Sequence, residues 1–466
     1  MTSLRPSSLL LLAGLTATAL VGCEPTLDEA PAVSAGSLDL SRVVAIGDDY
    51  AAGVADGGLT RARQEYSFPN LLVQQLQRAG AGAFTQPLLA TGESTGGVQL
   101  LSLTATNQAL TGPAAVSFID QEPLNPGTPC EEIRYRLPAW ADAGAGLPGN
   151  LAVPGLRLMD LETPGLGDET NFRNAGAAYN AGLERILPDG ADAASYLTLV
   201  KRAQPTFVIV SAGLGDLLPY ILSGGTCNTS LPSVSTVSFR AKRLVDSLVA
   251  TTSANGIILG VPKLDVLPLT RTTVSAVSRG LGRPDTASLY GIVFRNNKND
   301  TVRLSYEDIV LLPMVARVGR MEDATGTPYP QAFGSRENPL RDRDVLTTTE
   351  IARVDGYINA PPSSINDRLR TAVSIAGAKG RFVYVETGNF FQSLNNGQFI
   401  NGIRFSDDPV TGGLVSLDGY TLTPRGNALL VNFIITNALN PLSTVSNFGT
   451  SLPLIDISTL PATRLP

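Results

Sequence analysis

Ser41-Arg42-Val43-Val44-Ala45-Ile46-Gly47-Asp48-Asp49-Tyr50 carries a short apolar run that stops at a glycine followed by two acids. A run of this length closed by a turn signal reads as a buried strand. Phe68 to Arg78 follows with apolar residues at helical spacing, so the chain opens strand, loop, helix. The pattern returns further on. Thr206 to Ala212 is a second apolar strand running into Gly213-Leu214-Gly215-Asp216, Ser238 to Ser253 is a long helix, and Ile257 to Val261 is a third strand. Buried strands that alternate with helices imply a parallel sheet.

Thr348 to Ile375 is helical in pattern with a break at Pro361 and Pro362, and Arg381 to Glu386 is another buried strand. The last helix starts with Thr423 as N-cap and Pro424 at the first helical position, and Ala428, Leu429, Val431, Asn432 and Ile435 continue it. Residues 92–149 and 265–345, rich in Gly, Pro, Thr and Asp, fit the alternation poorly and read as two long insertions that cover the carboxyl edge of the sheet. No linker separates two cores, which makes 40–466 one elaborated α/β domain. Ligands of open parallel sheets bind beyond the carboxyl ends of the strands, here the turns at Gly47, Gly213 and Asp418.

Composition removes several function classes. Lys and Arg total 35 against 41 Asp and Glu, a net charge of −6 that provides no basic stripe, so nucleic acid is not an expected partner. Histidine is absent, and with it any mechanism that uses an imidazole of this chain as general base. Arg5 and the apolar run Leu9–Val21 have the form of a signal peptide over residues 1–22 and are short for a membrane span. Leu20-Val21-Gly22-Cys23 resembles the lipobox of bacterial lipoproteins; Ala17-Thr18-Ala19 is the competing cleavage signal. The expectation is an exported protein of the cell envelope, lipidated on Cys23, anchored to the outer membrane, with residues 23–39 as a tether. Cys130 and Cys227 then remain, and an exported pair has one possible disulfide connectivity; two unrelated thiols are the alternative.

Gly47-Asp48-Asp49-Tyr50-Ala51-Ala52-Gly53 resembles the first sequence block of the SGNH (GDSL-type) hydrolases, and Asp56-Gly57-Gly58-Leu59-Thr60 with Glu65-Tyr66-Ser67-Phe68-Pro69 resembles lipoprotein members of that family. Asn150-Leu151-Ala152-Val153-Pro154-Gly155 is similar to the second block, Gly213-Leu214-Gly215-Asp216 to the third, and Asp418-Gly419-Tyr420-Thr421-Leu422-Thr423-Pro424-Arg425-Gly426 to the last. The resemblance spans about residues 40 to 440. It implies a three-layer α/β/α sandwich with a mostly parallel, flavodoxin-like sheet, and an ester-cleaving site at the four blocks. In that site Asp49 stands where the family has its nucleophilic serine, Gly215 where it has the oxyanion-hole asparagine, and Thr421 where it has the base histidine. Gly155, which lends a backbone N–H to the oxyanion hole, and Asp418, which orients the histidine, match the family pattern.

An aspartate cannot replace the serine in ester cleavage, because its attack would form a mixed anhydride less stable than the ester. The expected function is therefore a pseudoenzyme: an esterase-like fold that holds a lipid, glycan or acylated ligand in the former substrate cleft. An active GDSL-type esterase with unorthodox residues is the alternative, and an envelope scaffold a third. No cofactor or metal is expected; a divalent cation between Asp49 and Asp418 is the one variant that paired carboxylates leave open. Of the acids at the blocks, Asp49 and Asp418 are expected to face the pocket, and Asp48 and Asp216 to hold their loops.

Overall fold

Four strands form the central sheet: β1 (Val43–Gly47), β2 (Phe207–Ser211), β3 (Asn255–Leu259) and β4 (Phe382–Val385). They lie in the order β1-β2-β3-β4 and every pair is parallel. Val43 faces Phe207, and Gly47 faces Ser211, so β1 and β2 end level with one another. All five residues of β1 and of β2 are buried, which is why both read as unbroken apolar runs without alternation. On the outer side of β1, Ala45 bridges Asn150 in parallel, and Leu151 N–H donates to the Ala45 carbonyl at 2.8 Å and Val153 N–H to that of Gly47 at 3.0 Å. The protein is thus an α/β domain around a parallel sheet. The computed structural model describes residues 32–462, apart from 105–107, 118–135, 143, 145, 176–177, 189, 228–230, 282–288, 296–297, 324–325 and 441–447.

Helix α1 (Asp49–Ala52) leaves the end of β1, and α2 (Phe68–Arg78) has the bounds its periodicity predicts. Helix α3 (Tyr196–Ala203) precedes β2, and α4 (Val234–Thr251) follows it. Helix α4 begins earlier than the expected Ser238, because Ser233 caps it by accepting the Thr236 N–H at 3.2 Å. The β-branched residues of that first turn hide the start from a propensity argument. Helices α5 (Thr348–Asn359) and α6 (Ile365–Ser374) flank the break at Pro361 and Pro362. Helix α7 (Thr387–Leu394) follows β4, and α8 (Pro424–Ile434) closes the fold, with the Thr423 hydroxyl accepting the Gly426 N–H at 2.9 Å. Two helix groups pack on this frame: α4 against α6, α5 and α3, and α8 against α2.

β3 starts two positions before the expected Ile257. Asn255-Gly256 has the form of a turn signal, yet it lies in the strand, since a Cβ on Gly256 would sit 2.5 Å from the Val208 carbonyl oxygen of β2. The insertions are more than cover. Within 265–345, Val274, Leu289, Val310, Val318, Phe333 and Leu340 belong to a second hydrophobic cluster separate from the main core. The same insertion reaches the carboxyl edge of the sheet, where Leu269 N–H donates to the Gly419 carbonyl at 2.9 Å. The first insertion carries the hairpin Val98–Leu103/Ala109–Pro113 and is tied to the second through Arg317, which donates to the Thr111 carbonyl at 2.8 Å.

Pairing with the domain begins ahead of residue 40: Ser34 and Ser451 form a bridge, and Ser37 N–H donates to the Phe448 carbonyl at 2.8 Å. The expected signal peptide (1–22), Cys23 and the tether upstream of residue 32 lie outside the described residues, as does Cys130. Among the described residues no helix is long and apolar enough to cross a membrane.

Candidate functional site

The carboxyl ends of β1 and β2 bring the four motifs together. The sharp exit of β1 is possible only with glycine: Gly47 has φ +145°, and a Cβ there would lie 1.7 Å from the Ser211 carbonyl oxygen. Asp48 N–H then donates to that carbonyl at 2.9 Å, and Asp49 opens α1, which Gly53 ends in the left-handed conformation.

Asp49 Oδ1 accepts the backbone N–H of Gly155 at 2.8 Å. The glycine that the resemblance assigns to oxyanion stabilisation therefore spends its donor on the carboxylate at the nucleophile position. Gly155 takes φ +66° with open space where a Cβ would be, and Asn180 steadies its turn by donating to the Pro154 carbonyl at 2.9 Å.

Gly215 lies beside this pair and donates its N–H to Asp48 Oδ2 at 3.0 Å. A Cβ at Gly215 would sit 2.3 Å from the Leu156 carbonyl oxygen. The backbone has closed over the place where an asparagine side chain would start. Asp216 accepts from Leu158 N–H at 2.6 Å and Met159 N–H at 3.3 Å, fastening the segment after Gly155 to the turn after β2.

Asp418 is bound on every side. Its Oδ1 accepts the N–H groups of Tyr420 (2.9 Å) and Thr421 (2.8 Å), and its Oδ2 accepts Gly57 N–H (2.7 Å) and the Thr421 hydroxyl. The Thr421 and Ser416 hydroxyls are 2.7 Å apart. Thr421 keeps the contact to Asp418 that a histidine would make, but a hydroxyl has no basic lone pair able to hold a proton near neutral pH. The two carboxylate turns meet at Tyr50, whose hydroxyl donates to the Tyr420 carbonyl and is held protonated by burial and by Asp418, Asp48 and Asp49 around it.

Burial governs the acids. It pushes Asp48 up to about 7, opposed by the backbone N–H groups of Gly215, Leu214 and Gly213 and reinforced by the like charge of Asp216. Burial likewise raises Asp216 to about 7 against the Leu158 and Met159 N–H groups. Asp418 is also raised by burial, with its hydrogen bonds from Thr421, Tyr420 and Gly57 pulling the other way.

All five candidate positions are thus assembled, but into a closed, hydrogen-bonded centre. Asp49 is 7% exposed, Asp418 6% and Thr421 0%. A small pocket beside them is lined by Asp48, Tyr50, Ser211, Leu214, Val261 and Thr387 among others; its wall contains Asp48, and neither Asp49 nor Asp418. Among the described residues no group of three or more His, Cys, Asp or Glu is placed to hold a metal ion.

Sequence reasoning missed Asp56 and Ser416. Ser416 Oγ accepts Asp56 N–H at 2.9 Å, Asp56 Oδ1 accepts Leu417 N–H at 2.9 Å, and Asp56 Oδ2 pairs with Arg63 at 2.8 Å. The signal was the acid before Gly57-Gly58, a residue type that tolerates the left-handed φ of +51° found there. Cys227 is buried and disulfide-bonded. Comparison with protein-family models, curated proteins and solved structures finds no match to this chain.

Proposed function

We propose that the chain is an SGNH-type domain that has become a non-hydrolytic binding module of the cell envelope, exported and lipidated on Cys23. The observation that carries this reading is the 2.8 Å bond from Gly155 N–H to Asp49 Oδ1. An oxyanion site must offer preorganised donors to a charge that develops during reaction. Here a resident carboxylate accepts the Gly155 donor before any substrate arrives, and the chain has no histidine to act as its base.

The strand order supports the fold named by the resemblance. With the Gly149–Val153 segment paired outside β1, the sheet reads 2-1-3-4-5 in chain order, and the two helix groups suit a three-layer sandwich of flavodoxin-like form. The ligand class that the resemblance implies is a lipid, glycan or acylated molecule lying over these turns.

Loss of the nucleophile or the base in a related catalytic unit costs on the order of 10⁶ in kcat. The purified mature chain is accordingly expected to cleave short-chain aryl esters no faster than its heat-denatured control and to resist fluorophosphonate labelling. Robust turnover that disappears in Asp49→Ala would overturn the binding-module reading and restore the unorthodox esterase.

A further inference from the structure

Asp48 is 1% exposed, and its two carboxyl oxygens are treated very differently. Oδ2 accepts the Gly215 N–H, whereas Oδ1 is buried with no hydrogen-bond partner. Buried carboxylate oxygens are ordinarily satisfied, and one that is not calls for an explanation. The same residue is in the wall of the pocket at the carboxyl ends of β1, β2 and β3. Tyr50, Ser211 and Thr387 add polar groups to that wall, and Leu214, Leu259, Val261 and Pro262 make the rest of it apolar. The free volume inside is about 10 Å³, room for a single water-sized group.

We infer that this pocket is a binding site for the head of a small primary alkylammonium compound, with Asp48 as its acceptor and the stem directed out through the open side of the pocket.

The charge balance selects the ligand. The titratable groups that act on Asp48 are Asp216 from the turn after β2, Tyr50 from α1 and Tyr196 from α3, with Asp49 next in the chain. Burial keeps both tyrosines protonated, so the set is acidic or neutral. An anionic head would add a third like charge. A hydroxyl would satisfy Oδ1 but bring no opposite charge to a buried carboxylate that only the backbone N–H groups of Gly213, Leu214 and Gly215 stabilise. An ammonium supplies both the donor and the opposite charge. Thr387 does not compete, because its hydroxyl is committed to the Gly260 carbonyl. The inference is independent of whether the Asp49 centre is catalytic.

The test uses n-butylammonium, n-butanol and butyrate as probes, titrated into the full mature chain by calorimetry. Burial raises Asp48 to about 7, so the carboxylate that attracts the cation exists above that pH and is lost below it. Saturable binding of butylammonium is expected at about pH 8.5, falling at least about ten-fold at pH 5.5, with butanol and butyrate at least about ten-fold weaker at the higher pH. Asp48→Asn is expected to abolish it. Ala212→Val, which adds two methyl groups at another residue of the pocket wall and leaves the carboxylate in place, should weaken it at least about ten-fold. No saturable binding, equal binding of butanol, or affinity indifferent to pH would overturn the inference. So would butylammonium binding that survives Ala212→Val, and that variant with the wild-type pH profile decides the matter if Asp48→Asn does not fold.

Discussion

The turn that follows β1 and the loop from Ser416 to Thr421 both hold acids at the carboxyl edge of the sheet, and they satisfy them in opposite ways. In the Ser416–Thr421 loop, Asp418 takes three of its four hydrogen bonds from Tyr420 and Thr421, two and three residues away. Such an arrangement is a local turn that the side chain builds for its own backbone. In the turn after β1, Asp48 and Asp49 accept from Gly215 and Gly155, which are 167 and 106 residues distant. Those bonds exist only once the sheet has formed. One loop satisfies its acid mostly from its own backbone, with Gly57 as the distant donor, and the other is a meeting point in which Asp48 Oδ1 has no partner.

The most damaging way to break the contrast is Gly215→Asn, which places here the asparagine of the family that the sequence resembles. With the Leu156 carbonyl oxygen 2.3 Å from the new Cβ, the two turns cannot keep their approach. A loss of about 4 kcal/mol or more is expected from chemical denaturation, with failure to fold as the limit. An Asn variant as stable as the wild type would show that the closure over Gly215 is loose. Placing serine at 49 and histidine at 421 without remaking residues 155–158 would therefore leave the Leu156 carbonyl closed over residue 215.

Asp418→Asn tests the Ser416–Thr421 loop. The amide oxygen can accept from the Tyr420 and Thr421 N–H groups, and its own N–H₂ is then forced against Gly57 N–H. Denaturation should report a loss of about 2 to 3 kcal/mol at neutral pH. A change under a few tenths would mean that the loop holds itself without the carboxylate.

Gly155→Ala is gentler. Space is open at the Cβ, so the cost reduces to the left-handed φ of +66°, about 1 kcal/mol, with the bond to Asp49 intact. Comparing the melting temperature with that of Gly215→Asn separates backbone strain from collision.

Asp48→Asn sharpens the comparison through its sign. A carboxyl raised from its ordinary value near 4 to about 7 favours folding fully in acid, and that contribution is lost as pH rises toward about 7. Asp216 is raised in the same direction and adds to the effect. Stability of the wild type should thus decline between about pH 4 and pH 7, and Asp48→Asn should flatten part of that decline. At about pH 8 the variant is expected to match or slightly exceed the wild type in denaturation, because it removes a buried charge whose Oδ1 has no donor. An Asn variant with the wild-type pH slope would assign the titration to another group.

What could be read from the chain follows the same division between local and distant. Helix α2, the Thr423-Pro424 start of α8 and the break between α5 and α6 are local events, written in residues a turn apart. The four motifs were legible as short strings. Their closure was not: that Asp49 binds Gly155, or that Leu156 crowds Gly215, depends on the pairing of Gly47 with Ser211 and of Ala45 with Asn150. No local spacing encodes those pairings. The expectation that Asp48 only holds a loop was half the story, since one of its oxygens does so and the other does not. The second insertion's own hydrophobic cluster was also hidden, because its residues sit on elements too short to show a period, such as Val274 and Val277 in a seven-residue helix and Val310 and Val345 in a two-residue strand pair.

The bridge between Ser34 and Ser451, with Ser37 bound to the Phe448 carbonyl, gives the domain a mechanical character. A pull applied upstream of residue 33 does not arrive first at the sheet. It loads a short pair of crossed contacts that join the beginning of the domain to its final segment. That segment is held in turn by Asn432 of α8, which bonds both the N–H and the carbonyl of Ile455. Force would therefore strain the Ser34–Ser451 and Ser37–Phe448 contacts first, like a seam opening from its end, before it reaches β1 at Val43.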